Sequence, residues 1–268
     1  MIDSHTHYDH KRFDGDRKEI LSECRMQGIT SFINCATTYE SNIQMMNKLN
    51  AFPYVYYGIG IHPARLGESV QDSEKEWIED LRQLSKSERV VAIGETGLDY
   101  HHFNSEESKL RQQIWFERQL MLAQEEKLPV ILHIREAHQD AIRILRKYPL
   151  REKGVVHCFS GDLKDAVIYT EEMGLYLGIG TKILDPAEAG LQEAVRYVAL
   201  DKILLETDAP YLPPKKQKGG RNTSLILEEV VAKIAEIKGV SEKEMIDITT
   251  ENVKNLFGRD KEWEEYMF

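Results

Sequence analysis

Short apolar runs rich in β-branched residues alternate along this chain with longer segments whose apolar residues recur at helical spacing. Eight of the short runs read as strands: Met1–His5, Thr30–Cys35, Tyr54–Ile61, Val90–Glu95, Pro129–His133, Gly154–Cys158, Gly174–Gly178 and Lys202–Glu206. Most are continuous apolar stretches without alternation, the pattern of strands covered on both faces. Helical patterns fill the intervals. Leu227, Val230, Val231 and Ile234 stand at i, i+3, i+4 and i+7, and Gly239 follows as a stop. Ser73 with Glu76, and Ser241 with Glu244, have the capping-box spacing that opens a helix. The interval between the second and third strands is the weakest, and Ser41–Leu49 must supply its helix. Strand–helix alternation predicts a parallel α/β sheet. With 268 residues and no linker or repeat, the chain fits one domain, 1–268, of the size of a (β/α)8 TIM barrel. A doubly wound open sheet would show the same alternation.

The polar residues that end the strands favour the barrel. His5 and His7 lie two apart, so a strand puts both imidazoles on one face. Later strands end on Glu95, His133, His157 and Asp208. Groups at the C-terminal ends of the first and last strands meet in a closed barrel, whereas an open sheet keeps them apart. Four imidazoles and two carboxylates exceed one tetrahedral site with an open position. They suit two divalent ions about 3.5–4 Å apart, bridged by a carboxylate and a hydroxide. Glu95 is the expected bridge, with His5, His7 and Asp208 on one ion and His133 and His157 on the other. Asp208 also reaches the bridging water and is the expected general base. Mixed imidazole and carboxylate donors suit zinc, and weaker open sites suit magnesium or manganese.

Composition narrows the setting. The formal net charge is −10, which excludes a globally basic nucleic-acid surface. It leaves room for a local one. Ala209–Leu227 contains no acid yet carries Lys215, Lys216, Lys218 and Arg221. No apolar run approaches the roughly 18 residues of a membrane span, and the chain enters a strand at once, without the pattern of a cleavable signal. Cys24, Cys35 and Cys158 are odd in number and far apart, as expected of reduced thiols in the cytoplasm.

The segments MIDSHTHYD (1–9), GIGIHP (58–63), GETGLDY (94–100), PVILHIREAHQD (129–140), HCFSG (157–161) and LLETDAPYL (204–212) together resemble the TatD-related hydrolase family of amidohydrolase-type metal-dependent barrels. The resemblance runs over nearly the whole chain. It implies a (β/α) barrel with one or two divalent metals and DNase activity, often 3′-to-5′ exonucleolytic. It also implies metal roles for His5, His7, Glu95, His133, His157 and Asp208. One departure stands out: where the family often reads Arg-Asn-Glu-Pro, this chain has Arg221-Asn222-Thr223-Ser224.

The leading expectation is therefore a metal-dependent deoxyribonuclease acting on single-stranded DNA ends, with no obligate protein partner. The alternative is an amide or ester hydrolase such as a D-aminoacyl-tRNA deacylase, because the same hydroxide attacks carbon or phosphorus. A non-catalytic metal-binding scaffold would lose the bridging glutamate or the strand-8 aspartate, and both are present. His62 and Arg135 are expected to contact phosphate, and Lys215, Lys216, Lys218 and Arg221 to steer the polyanion. Glu206 is expected to orient a ligand histidine, and Cys158 to face the helices. Tyr100, Phe103, Phe159 and Tyr211 offer stacking surfaces or rim packing.

Overall fold

The computed structural model describes residues 1–66, 74–215 and 219–258. Eight parallel strands pair in chain order: β1 Ile2–Thr6, β2 Ser31–Cys35, β3 Val55–Ile59, β4 Val90–Asp99, β5 Val130–Arg135, β6 Gly154–His157, β7 Tyr176–Ile179 and β8 Ile203–Leu205. The last meets the first. Asp208 N–H donates to His5 O (2.9 Å), and His7 N–H donates to Ala209 O (2.7 Å). A parallel bridge between Thr6 and Ala209 completes the contact. The expected TIM barrel is the fold.

Around the barrel lie α1 Arg17–Met26, α2 Tyr39–Leu49, α3 Glu74–Leu84, α4 Glu106–Glu126, α5 His138–Lys147, α6 Leu163–Val167, α7 Ala189–Tyr197, α8 Leu227–Lys238 and α9 Glu242–Phe257. Local signals explain several ends. Thr38 and Ser41 exchange capping bonds at the start of α2, so the weak interval does hold a helix. Ser241 accepts from Glu244 N–H at the start of α9, and Gly239 closes α8 with φ +68°. Ser73 lies outside the described residues.

An apolar floor supports the site. Ile33, Val91, Ile131, Val155 and Leu204 form one buried cluster with Val253, Leu256 and Phe257 of α9, which close the lower end. Two residues further along, strand periodicity turns those positions polar: Ile131 leads to His133, Val155 to His157 and Leu204 to Glu206. Register keeps them level, with His133 opposite His157 and Gly97 opposite His133. A Cβ at Gly97, whose φ is +139°, would stand 2.1 Å from His133 O, so glycine is what lets β4 lie against β5 there. The strand β4 is longer than its apolar run implied. Its pairing shifts between Ile93 and Thr96, and the strand continues to Asp99.

Candidate metal centre

Glu95, 3% exposed, sits at the middle of a ring of imidazoles. Its Oε2 lies 3.4 Å from His5 Nε2 and 3.6 Å from His7 Nε2. Its Oε1 lies 3.3 Å from His62 Nε2, 3.1 Å from His133 Nδ1 and 3.4 Å from His157 Nε2. Asp208 Oδ1 stands 3.2 Å from His7 Nε2 and 3.8 Å from His5 Nε2. All six residues expected as ligands therefore converge. The groups able to hold an ion by proximity are His5–His157–Asp208, His5–His7–Glu95 and His62–Glu95–His133. His157 stacks on His5 at 3.6 Å between ring centroids and stands 5.9 Å from His133, so proximity groups it with His5 and Asp208 and not, as expected, with His133.

Hydrogen bonds on the far ring nitrogens decide which near nitrogens are free to ligate. His7 Nδ1 lies 2.8 Å from Cys35 O, an acceptor with no proton to give, so Nδ1 carries a proton and it is Nε2 that a neutral His7 would turn as a lone pair toward the centre. His157 Nδ1 faces Glu206 Oε1 at 3.2 Å without a formed hydrogen bond, and burial raises the Glu206 carboxyl to about 8, so this contact leaves the His157 tautomer open. The hydrogen bond that Glu206 Oε1 does make is from Cys158 N–H (2.6 Å). His62 is the opposite case. Its Nδ1 accepts from Ala64 N–H (3.0 Å), so a neutral His62 carries its proton on Nε2, toward Glu95. His62 thus presents an N–H to Glu95, although it also stands close enough to Glu95 and His133 to share an ion with them.

Glycine makes room for the Glu206 carboxylate. A Cβ at Gly178 would lie 2.0 Å from Glu206 Oε2. Gly178→Ala should push Glu206 off His157 and cost about 1–3 kcal/mol, the usual range for overpacking. Thermal melting checks the cost, and unchanged melting would show that the carboxylate has somewhere else to go.

Charge balances around the same carboxylate. Burial opposes ionisation of Glu95, but His62, His5, His133 and His157 hold its carboxyl well below the usual range. Burial likewise opposes charge on Asp208, and the hydrogen bond from His7 together with the neighbouring imidazoles keeps its carboxyl low. Burial alone would lower His7 and His133. Asp208 outweighs it for His7, and Asp99 with Glu95 for His133, raising both to about 9. Burial pushes His62 and His157 down to about 4. Without metal, His7 and His133 therefore hold protons at neutral pH, and an incoming ion must displace them. Affinity for a divalent ion should rise steeply from pH 7 to about 9, with proton release on binding. Calorimetry in buffers of different ionisation enthalpy measures that release, and a pH-independent affinity would contradict it.

The donor chemistry fits a divalent ion: buried ring nitrogens and carboxylate oxygens, with Cys35 O placed to keep the remaining His7 proton on Nδ1 once an ion displaces the other. The open side is marked by exposure. Asp208 (15%), His133 (17%) and His62 (12%) reach solvent, whereas His5 (0%) and His157 (3%) do not.

Other expected positions separate. Arg135 lies exposed at the end of β5, opposite Asp99 in register. The acids nearby in sequence are engaged elsewhere, Glu136 with His101 and Asp140 with Arg143. Arg221, expected to steer a polyanion, is held within the protein. It clamps Asp16 with two bonds (2.7 and 2.5 Å), donates to Arg12 O and lies 4.6 Å over Phe13. Lys215 pairs with Asp185 (2.5 Å), and Lys216 and Lys218 lie outside the described residues. Phe159 is buried in the core, while Tyr211, 38% exposed, sits edge-on to His7 at 5.5 Å. Two residues escaped the sequence reading. Asp99 Oδ2 lies 3.4 Å from His133 Nε2 and 2.9 Å from His102 Nδ1, and the even spacing from Glu95 was its signal. Lys182, just past β7, lines a small cavity with Asp208 and Glu206, and its position after a strand end was the signal there.

Known proteins resemble this chain in sequence and fold. The model of the family described as TatD related DNase matches residues 2–258. The chain is 33% identical over 264 residues to the uncharacterized metal-dependent hydrolase YcfH of Escherichia coli (strain K12), covering 97% of this chain and 96% of that one. It is 31% identical over 254 residues to the 3′-5′ ssDNA/RNA exonuclease TatD of Rahnella sp. (strain Y9602), covering 92% and 94%. The crystal structure of YjjV, a TatD homologue from Escherichia coli K12, superposes with a TM-score of 0.89 at 31% identity, covering 96% and 97%. A family match over nearly the full length, with relatives above 30% identity, shows that this chain belongs to the TatD-related DNase family of metal-dependent hydrolases.

Proposed function

We propose that the chain is a divalent-metal-dependent nuclease that hydrolyses phosphodiester bonds at the 3′ ends of single-stranded DNA. The observation that carries the reading is the convergence of His5, His7, His133, His157 and Asp208 on the Glu95 carboxylate at the open end of the barrel. A pair of divalent ions, zinc, magnesium or manganese, bound there supplies a Lewis acid and a water of lowered pKa. The protein's own groups do the rest. Asp208, ionised and solvent-reaching, takes the proton of the attacking water. Neutral His62 donates its Nε2–H to a phosphoryl oxygen as negative charge builds on it. Arg135 and Lys182, both near the mouth, offer cations to the flanking phosphates. Tyr211 presents a ring on which a terminal base stacks. The nuclease name of the Rahnella relative supports the 3′-to-5′ polarity.

Among the described residues no helix is long and apolar enough to cross a membrane. The three cysteines are unpaired, which suits the reducing cytoplasm we assign.

The donor role of His62 has its own test. His62→Ala should lower turnover by about 10²–10³, the loss typical of one such donor, while metal stoichiometry stays as in the parent. Loss of an ion in that variant would make His62 a ligand instead. The activity itself is tested by metal-dependent hydrolysis of 3′- and 5′-end-labelled single-stranded DNA beside a D-aminoacyl-tRNA. Mononucleotide release from the 3′ end is expected. Cleavage of the aminoacyl ester alone would overturn the nuclease reading in favour of a deacylase.

A further inference from the structure

Asp208 has a backbone φ of +59°, in the left-handed region that few residues other than glycine enter. The residues on either side hold it there. Thr207 N–H donates to Asp3 Oδ1 (3.1 Å), Thr207 Oγ1 donates to Asp3 Oδ2 (2.7 Å), and Thr207 O accepts from Asn222 Nδ2 (2.8 Å). Ala209 N–H donates to Thr207 Oγ1 (3.2 Å). Every polar group of Thr207 that reaches a partner is thus tied to Asp3, to Asn222 or to the next turn.

Asp3 is itself fully buried and fixed from a second direction. Ser224 Oγ donates to Asp3 Oδ2 at 2.6 Å. Having given its proton, the Ser224 oxygen accepts from the Tyr8 hydroxyl at 2.8 Å, and Tyr8 in turn accepts Ser224 N–H at 3.0 Å. The chain of bonds therefore runs from the loop after β8, through Asp3 on β1, to the backbone beside Asp208.

We propose that Asp3 and Ser224 form a positioning pair, which aims the Asp208 carboxylate by clamping Thr207 and holding the left-handed turn. Neither residue touches substrate. The proposal rests on the reading of Asp208 as a metal ligand and proton acceptor, and adds what keeps it in place.

Three variants test it: Ser224→Ala, Asp3→Asn and, as the conservative control, Ser224→Thr. For each, Mn2+ affinity is titrated at room temperature, melting is followed by circular dichroism, and kcat and KM are measured on single-stranded DNA. Ser224→Ala and Asp3→Asn should stay folded yet lose affinity about 10–100-fold, the usual effect of removing a group that orients a ligand. Their kcat should fall while KM for DNA holds, and Ser224→Thr should restore both kcat and affinity. Lowered melting with unchanged affinity and kcat would overturn the proposal and leave a fold staple. So would failure of both variants to fold. A parent protein that binds no Mn2+ would overturn the metal reading itself, and the pair's role with it.

Discussion

Glu95→Ala should remove metal binding almost entirely and take turnover to background. Both carboxylate oxygens are engaged, Oε2 facing His5 and His7 and Oε1 facing His62, His133 and His157. Removing the carboxylate leaves buried imidazoles with no anion between them. On the proposed two-ion reading, neither ion would then keep a full donor set. The contrast is His157→Ala, which removes one nitrogen from one side and should mainly weaken one ion. Elemental analysis of protein dialysed against a metal buffer separates them. The parent should hold roughly two ions per chain, as expected where one carboxylate bridges, the histidine variant fewer and the glutamate variant close to none. Equal stoichiometry in all three would remove Glu95 from the bridging role.

Asp208→Asn is the second large effect. An amide oxygen still coordinates but cannot accept a proton at neutral pH. Under saturating metal, turnover should fall by about 10²–10⁴, the range of general acid–base contributions. The backbone should tolerate the change, because asparagine also enters the left-handed region that Asp208 occupies. Single-turnover kinetics at saturating Mn2+ measure the loss. Near-normal turnover would leave Asp208 a ligand and nothing more.

The barrel and the converging residues were legible because strand periodicity is local. Ile131 to His133 and Val155 to His157 are two-residue steps on one face, and any reading of the apolar runs finds their ends. The length of β4 was not legible, since Thr96 and Gly97 end the apolar run while the backbone continues through a shifted register. Asp99 was hidden with it. The role of Arg221 was out of reach for a different reason. Its partner Asp16 is distant in sequence, and only closure of the barrel brings the β8 loop onto the β1 loop. A cation in an acid-free stretch looks free until the fold supplies the acid from elsewhere. His62 lay between these cases: its position past β3 was readable, but the Ala64 N–H that fixes its tautomer belongs to the turn it caps.

Crystals grown with Mn2+ and examined by anomalous scattering test the central claim most directly. The account predicts two peaks flanking the Glu95 carboxylate. One is bound by His5, His7 and Asp208, the other by His133 and His157, with His62 Nε2 outside both coordination spheres. A single ion with His133 and His157 turned away from it, or an ion bonded to His62, would contradict the account.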